Sequence, residues 1–339
     1  MRKPGLAIIL LALPAGLPAH HSRAGYDMST VTEIEGELVE VIWRNPHVGF
    51  FMEAANEQGE AERWTIEGWG SLYTLQRTGV AAEDFRVGEP VRVAGFLSTR
   101  EPSTIQATHM LLADGTEAIL RADAEPHWPD NESVGGRARW QADEDRLPQA
   151  AEENLGLFRV WSPPSYGSIN LVTTHYPFTE TALAARESWD PFENWVTRCE
   201  PAGMPWVMMV PHPYQFEDRG DEILLHTQQW DLTRTIYMNS SGEGAELSLP
   251  RLGRSVGQWE SRTLIVETTD IDWPYFDPRG TPQSEAVTVR EEFTLSEDQS
   301  RLDYRVTITD PLTFSEPATR ETHWLALGEP LDPYDCLVR

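Results

Sequence analysis

Three histidines are placed where they could do chemistry. His20 and His21 follow directly on a segment that reads as an export signal, and His47 ends the run Trp43-Arg44-Asn45-Pro46-His47. Cleavage after Ala19 would make His20 the mature N-terminus, whose amine and ring nitrogen can chelate copper while a second histidine completes a T-shaped brace. Nitrogen donors of this kind suit Cu(II), the strongest binder among the common divalent ions. Cleavage one residue earlier leaves Ala19-His20-His21, in which His21 at position three forms an amino-terminal Cu/Ni chelate. Cleavage after Ala15 puts the histidines inside a tail. In the purely structural reading, His20 and His21 are a tail and His47 caps a strand, donating to a backbone carbonyl. No HExxH or paired CxxC spacing accompanies them.

A second set lies in the C-terminal half. His226, Asp231, Glu267, Glu285, Glu291 and His323 fall on or beside predicted strands. A barrel would turn some of them inward, where burial raises a carboxylate pKa and creates an acid/base pair. The alternative is that they are surface residues or satisfied core groups, because charged side chains are mostly exposed. Trp273, Tyr275 and Phe276 lie in the long connection between Thr269 and Val287. They would either lid a barrel mouth over an apolar ligand or simply close the barrel end. No GxSxG, Walker A or dinucleotide fingerprint occurs, so hydrolase, nucleotide and NAD readings lack a motif.

The elements that must position these residues are mostly strands. Residues 36–43, 47–54 and 62–67 read as strands, Ser71 to Arg77 as a helix stopped by Gly79, and 90–98 and 104–112 as two further strands. Three strands, a helix and two strands is the order of the OB-fold, a five-stranded barrel. Residues 122–154, rich in charge, Pro and Gly, read as a linker or covering segment. From Leu155 onward, Thr179 caps a short predicted helix. About eight antiparallel strands between Tyr214 and Leu327 then predict a lipocalin-like up-and-down barrel able to hold one small ligand. A β-sandwich is the main alternative. The expected layout is a signal peptide at 1–19, an OB-like domain at 20–121, the covering segment, and a barrel domain at 155–339.

Composition narrows the function classes. Arg2 and Lys3, the apolar run Leu6 to Leu13 and the small residues ending at Ala19 have the order of a cleavable signal peptide. The run is far shorter than the roughly 20 residues that span a bilayer, so no membrane anchor is expected. The expected location is the periplasm or the medium. A formal charge of -27 disfavours nucleic-acid and anionic-membrane partners. Cys199 and Cys336 are the two cysteines, and in an oxidising compartment they are expected to pair with each other.

At His20-His21-Ser22, at Trp43 to His47 and at Gly88-Glu89-Pro90-Val91-Arg92-Val93-Ala94-Gly95, the first domain resembles a secreted bacterial family classed as a domain of unknown function. The second half resembles a region often attached to that family, through Arg198-Cys199-Glu200-Pro201, Arg234 to Met238 and Ser255 to Glu260. Such proteins often carry a histidine where this chain has Arg254. The resemblance implies export and the two-domain layout, and no established activity.

Three functions fit these features. One is a periplasmic small-molecule or copper-binding accessory protein. Another is a motif-less isomerase, lyase or hydrolase using barrel-lining His, Asp and Glu on an apolar substrate. The third is an envelope interaction module with Trp-rich contact surfaces.

Overall fold

The computed structural model describes residues 25–56, 58–137, 144–165, 175–190, 193–238 and 249–336. It is mainly β. The first sheet begins with β1 (Thr32–Ile42), β2 (Gly49–Ala55) and β3 (Ala61–Gly68), followed by helix α1 (Leu72–Arg77), β4 (Pro90–Leu97) and β5 (Thr104–Leu111). Strands pair in the order β3-β2-β1-β4-β5, and a parallel β3–β5 pairing closes them into a five-stranded barrel. This is the predicted OB-like arrangement. Its core holds Leu38, Phe50, Met52, Ile66, Val93, Ile105 and Met110, with Leu75 of α1 plugging one end.

Closing so small a barrel requires bent strands, and the β4–β5 pairing has a bulge in which Thr108 of β5 is the extra residue opposite Ala94 and Gly95. A Cβ on Gly95 would lie 2.1 Å from the carbonyl oxygen of Gln106, so glycine is needed for the strands to approach there. Helix α1 starts where it does because the Ser71 hydroxyl accepts from the Thr74 N–H, a side-chain N-cap.

The segment expected as a linker or covering segment contains regular structure. Short strands β6 (Glu117–Ile119) and β7 (Ser133–Gly135) extend the first sheet, β7 lying within it. Helix α2 (Leu147–Glu153) buries Ala150 in the second core, where the Ala150 carbonyl accepts from Arg159 at 3.0 Å.

The second sheet has nine strands in sequence order: β8 (Val160–Trp161), β9 (Tyr214–Asp218), β10 (Glu222–Thr227), β11 (Leu232–Met238), β12 (Arg254–Glu260), β13 (Thr263–Thr269), β14 (Thr288–Leu295), β15 (Arg301–Thr309) and β16 (Ala318–Leu325). Helix α3 (Glu180–Ser188) lies between β8 and β9 in sequence, capped by the Thr179 hydroxyl as expected. Reciprocal backbone bonds between Ser162 and Leu325, 2.9 and 2.8 Å long, bring β8 against β16 and nearly close the barrel.

Two features depart from eight antiparallel strands. β8 is a two-residue ninth strand, and the β11–β12 pairing is parallel.

Side chains fill the interior of this barrel. Trp161, Tyr214, Phe216, Phe293, Tyr304 and Trp324 are essentially inaccessible, and ring centroids of Tyr304 and Trp324 stand 4.8 Å apart. Among the rings lies a buried ion pair in which Arg234 donates to Glu291 at 2.5 Å. Arg234 also donates to Ser255 and Thr268, and the Tyr304 hydroxyl donates to Glu291 at 2.9 Å. The space that a lipocalin would give to a ligand is occupied by this packing.

Candidate binding cleft between the two barrels

The loop between β1 and β2 carries Asn45, Pro46 and His47 to the side of the first barrel that faces the second. The Asn45 carboxamide is buried. Its Oδ1 accepts from the Leu72 N–H at 3.0 Å, where α1 begins, and its Nδ2 donates to the Tyr334 carbonyl of the C-terminal segment. Asn45 thus ties β-barrel loop, helix start and C-terminal strap together, and His47 two residues later lines the cleft beside them.

The strap is held from several sides. Glu329 accepts from the Tyr73 hydroxyl at 3.2 Å and pairs with Arg77 at 3.1 Å, both on α1. Cys336 is joined to Cys199 with Cα atoms 5.8 Å apart. The Asp231 carboxylate accepts from the Tyr334 N–H at 2.9 Å. Trp230 and Asp231 both occupy the left-handed region, with φ of 65° and 51°. That conformation is costly for so bulky a residue as Trp, and here it aims Asp231 at the strap.

These contacts enclose a cleft of about 130 Å³ between the barrels. The first barrel contributes His47, Trp69, Ser71 and Thr74. The second contributes His212, Gln229 and Tyr334, with Val196 and Pro211 as apolar edges. The Ser71 and Thr74 hydroxyls bond to each other at 3.2 Å and serve the helix cap. Trp69 is stacked on its outer side by Arg121, 4.5 Å from the ring centroid.

His212 is the most perturbed group on the wall. Its ring sits between Tyr73, 5.4 Å away, and Tyr334, 5.7 Å away. Burial pushes its pKa down to about 4, so the ring is neutral at physiological pH. Its Nδ1 lies 2.9 Å from Gln228 Oε1, an acceptor, which puts the proton on Nδ1 and leaves the lone pair on Nε2. Nε2 has no hydrogen-bond partner among the described residues. Next to it in the chain wall, the buried Gln229 Oε1 also has none. Of these two atoms, the Gln229 Oε1 is the one both shut from solvent and without a partner.

His47 is thus a cleft residue, whereas His20 and His21 lie outside the described residues. Among the described residues no group of three or more His, Cys, Asp and Glu is arranged around a metal position.

The six candidate acid/base residues do not converge. His226 faces outward between Thr233 and Glu217, at 3.0 and 3.1 Å. Glu267 pairs on the outer wall with Arg290, Glu285 is exposed, and His323 lies opposite Asp303 on the outer face of β16. Asp231 anchors the strap, and Glu291 alone points into the barrel, already paired with Arg234.

Trp273 and Phe276 are buried and Tyr275 partly so, in a ring layer over the barrel. Trp273 meets Trp195 at 5.2 Å, Tyr275 stacks on Trp195 at 5.1 Å, and Phe276 meets Phe314 at 5.0 Å. These rings are core packing among themselves. The expected Cys199–Cys336 pairing is present.

His212 lies outside any periodic run, flanked by Pro211 and Pro213 in an irregular stretch, so alternation does not point to it. The Pro-His-Pro run itself was the available signal, since a histidine fixed between two prolines has little backbone freedom.

Fold and cleft together define a two-barrel protein, an OB-like barrel joined to a nine-stranded one, with a small polar cleft where they meet. Residues 8–104 match a family model described as a family of unknown function, DUF6152. The match covers the N-terminal region through the start of β5, and the second barrel lies outside it. No curated protein matches the chain.

Proposed function

We propose that this is an exported binding protein, acting in the periplasm or the medium, that holds a small cationic or donor-bearing ligand in the cleft between its barrels. The observation that supports the reading is the Gln229 Oε1, buried and without a hydrogen-bond partner among the described residues, on the cleft wall it shares with His212. Leaving such a group without a partner costs roughly 1–3 kcal/mol, which an occupant would recover.

Size and charge agree with a small cation. Drug-sized ligands take pockets of roughly 300–1,000 Å³, and about 130 Å³ suits an ion with its waters or a molecule of a few heavy atoms. A net charge of -27 raises the local concentration of cations. The disulfide between Cys199 and Cys336 is compatible with an oxidising compartment. No helix among the described residues is long and apolar enough to cross a membrane.

Native mass spectrometry of the protein purified from the envelope fraction tests this reading. A retained mass of an ion or a small molecule that is lost in a Gln229→Leu variant is the expected result. Protein that retains nothing, and that no metal ion or small amine stabilises in thermal melts, would sink it.

A further inference from the structure

We propose that the C-terminal strap is a clasp holding the two barrels together, and that the Cys199–Cys336 disulfide is its lock, opened by a protein dithiol of the thioredoxin kind. The two barrels keep separate hydrophobic cores. Each therefore has the means to stay folded while the joint between them moves, whatever the cleft holds.

The strap runs from Ala326 to Cys336 with neither helix nor strand. It leaves the second barrel at the end of β16 and is fastened at its far end to Cys199. Between those points it grips the first barrel. Glu329 accepts from the Tyr73 hydroxyl at 3.2 Å and pairs with Arg77 at 3.1 Å. The Tyr334 carbonyl accepts from the Asn45 carboxamide, and the backbone of Cys336 itself makes a parallel β-bridge with Asn45. The disulfide thus sits at the point where the strap touches both barrels.

Pinned at both ends, the strap is a closed loop on the second barrel, and its grip fixes where the first barrel lies. Cut at Cys336, it becomes a tail whose ordering entropy opposes the same contacts. The Asp231 carboxylate on the Tyr334 N–H, at 2.9 Å, then has to hold that end. Cys336 packs at the edge of the second core, and both cysteines are partly exposed, within reach of a thiolate from outside.

The exchange is balanced. A thiolate of the reductant attacks one sulfur of the disulfide, forming a mixed disulfide and releasing the other cysteine as a thiolate that takes up a proton. The second thiol of the reductant then displaces the first. Two electrons and two protons pass to the cysteines, and the reductant ends as a disulfide.

The test incubates the full-length, oxidised protein with reduced thioredoxin in the absence of denaturant. Maleimide labelling read by mass should find both cysteines free, and small-angle X-ray scattering should give a larger radius of gyration. Amides of residues 326–336 should exchange about tenfold faster, while those of β1 to β5 and β9 to β16 stay within about twofold of the oxidised protein. A Cys199→Ser/Cys336→Ser double variant should behave as the reduced protein does. Oxidised Asn45→Ala/Glu329→Ala, which keeps the lock and loosens the grip, should also show the larger radius.

A disulfide that thioredoxin opens only in urea would overturn the proposal. So would an unchanged radius in the reduced protein or in the loosened variant. Loss of protection across the barrel strands together with the strap would overturn it too, since the disulfide would then be a prop of the fold and not a lock on the joint.

Discussion

The side chain of Asn45 and the backbone carbonyl of Tyr334, 289 residues apart in sequence, share a hydrogen bond at the boundary of the two barrels. The other end of the same carboxamide holds the first residue of α1. One buried group thus satisfies a donor on one barrel and an acceptor on the strap of the other. Asn45→Ala should leave both without a partner and cost about 2–4 kcal/mol. Urea unfolding followed by tryptophan fluorescence should show the lower midpoint, and a variant within 0.5 kcal/mol of wild type would mean that the clip carries no weight.

Cys336→Ser should free the strap. In the chain-entropy account a bridge enclosing 137 residues contributes about 5 kcal/mol. The expected result is a lower urea midpoint for the variant, matched by wild type treated with reductant. The reduced wild type and the variant should agree, since both lose the same cross-link.

Glu291→Ala should be among the most damaging single changes in the molecule. It strands the Arg234 guanidinium in the barrel and removes the acceptor of the Tyr304 hydroxyl, and breaking a buried pair this way costs about 3–5 kcal/mol. Replacing both charges, Arg234→Met with Glu291→Leu, should recover much of the loss. Denaturant midpoints of the single and double variants check the coupling.

His212 sets an acid limit. Its folded pKa of about 4 lies below the ordinary value of 6.5, so between those values the unfolded chain binds the extra proton and the folded one does not. Stability from this group is therefore full above about pH 6.5, declines as the pH falls, and is fully lost below about pH 4, a total of about 3 kcal/mol. In chelator-treated protein, the difference in unfolding free energy between pH 7 and pH 4.5 should shrink in His212→Gln. An identical pH profile in the two proteins would show that the ring is solvated.

Most strands were legible because alternation of apolar residues survives in them. β14 shows the strength and the limit of that signal. Val289, Glu291, Phe293 and Leu295 share one parity and all point inward, so Glu291 was identifiable as an interior residue from its apolar neighbours. The same parity puts His226 outside, since Ile223, Leu225 and Thr227 are the inward residues of β10.

What alternation could not supply was anything outside a strand's own run. β6, β7 and β8, two or three residues long, are too short to show a period and exist only because a longer neighbour pairs with them. For Trp273, Tyr275 and Phe276 the sequence leaves a lid and a barrel-closing layer both open, because a long aromatic loop suits either. Their partners, Trp195 and Phe314, come from segments the sequence gives no reason to juxtapose. The cleft was half visible: Asn45-Pro46-His47 stood out, but its opposite wall is made by His212 and Tyr334, whose approach depends on the disulfide and on Asp231.

The strap has a consequence for how the molecule comes to be competent. Tyr334 forms one wall of the cleft and the other wall is set by a loop between the first two strands, so neither barrel expressed alone can possess the site. On the binding reading proposed above, occupancy of the cleft would report that both barrels are folded, docked and oxidised.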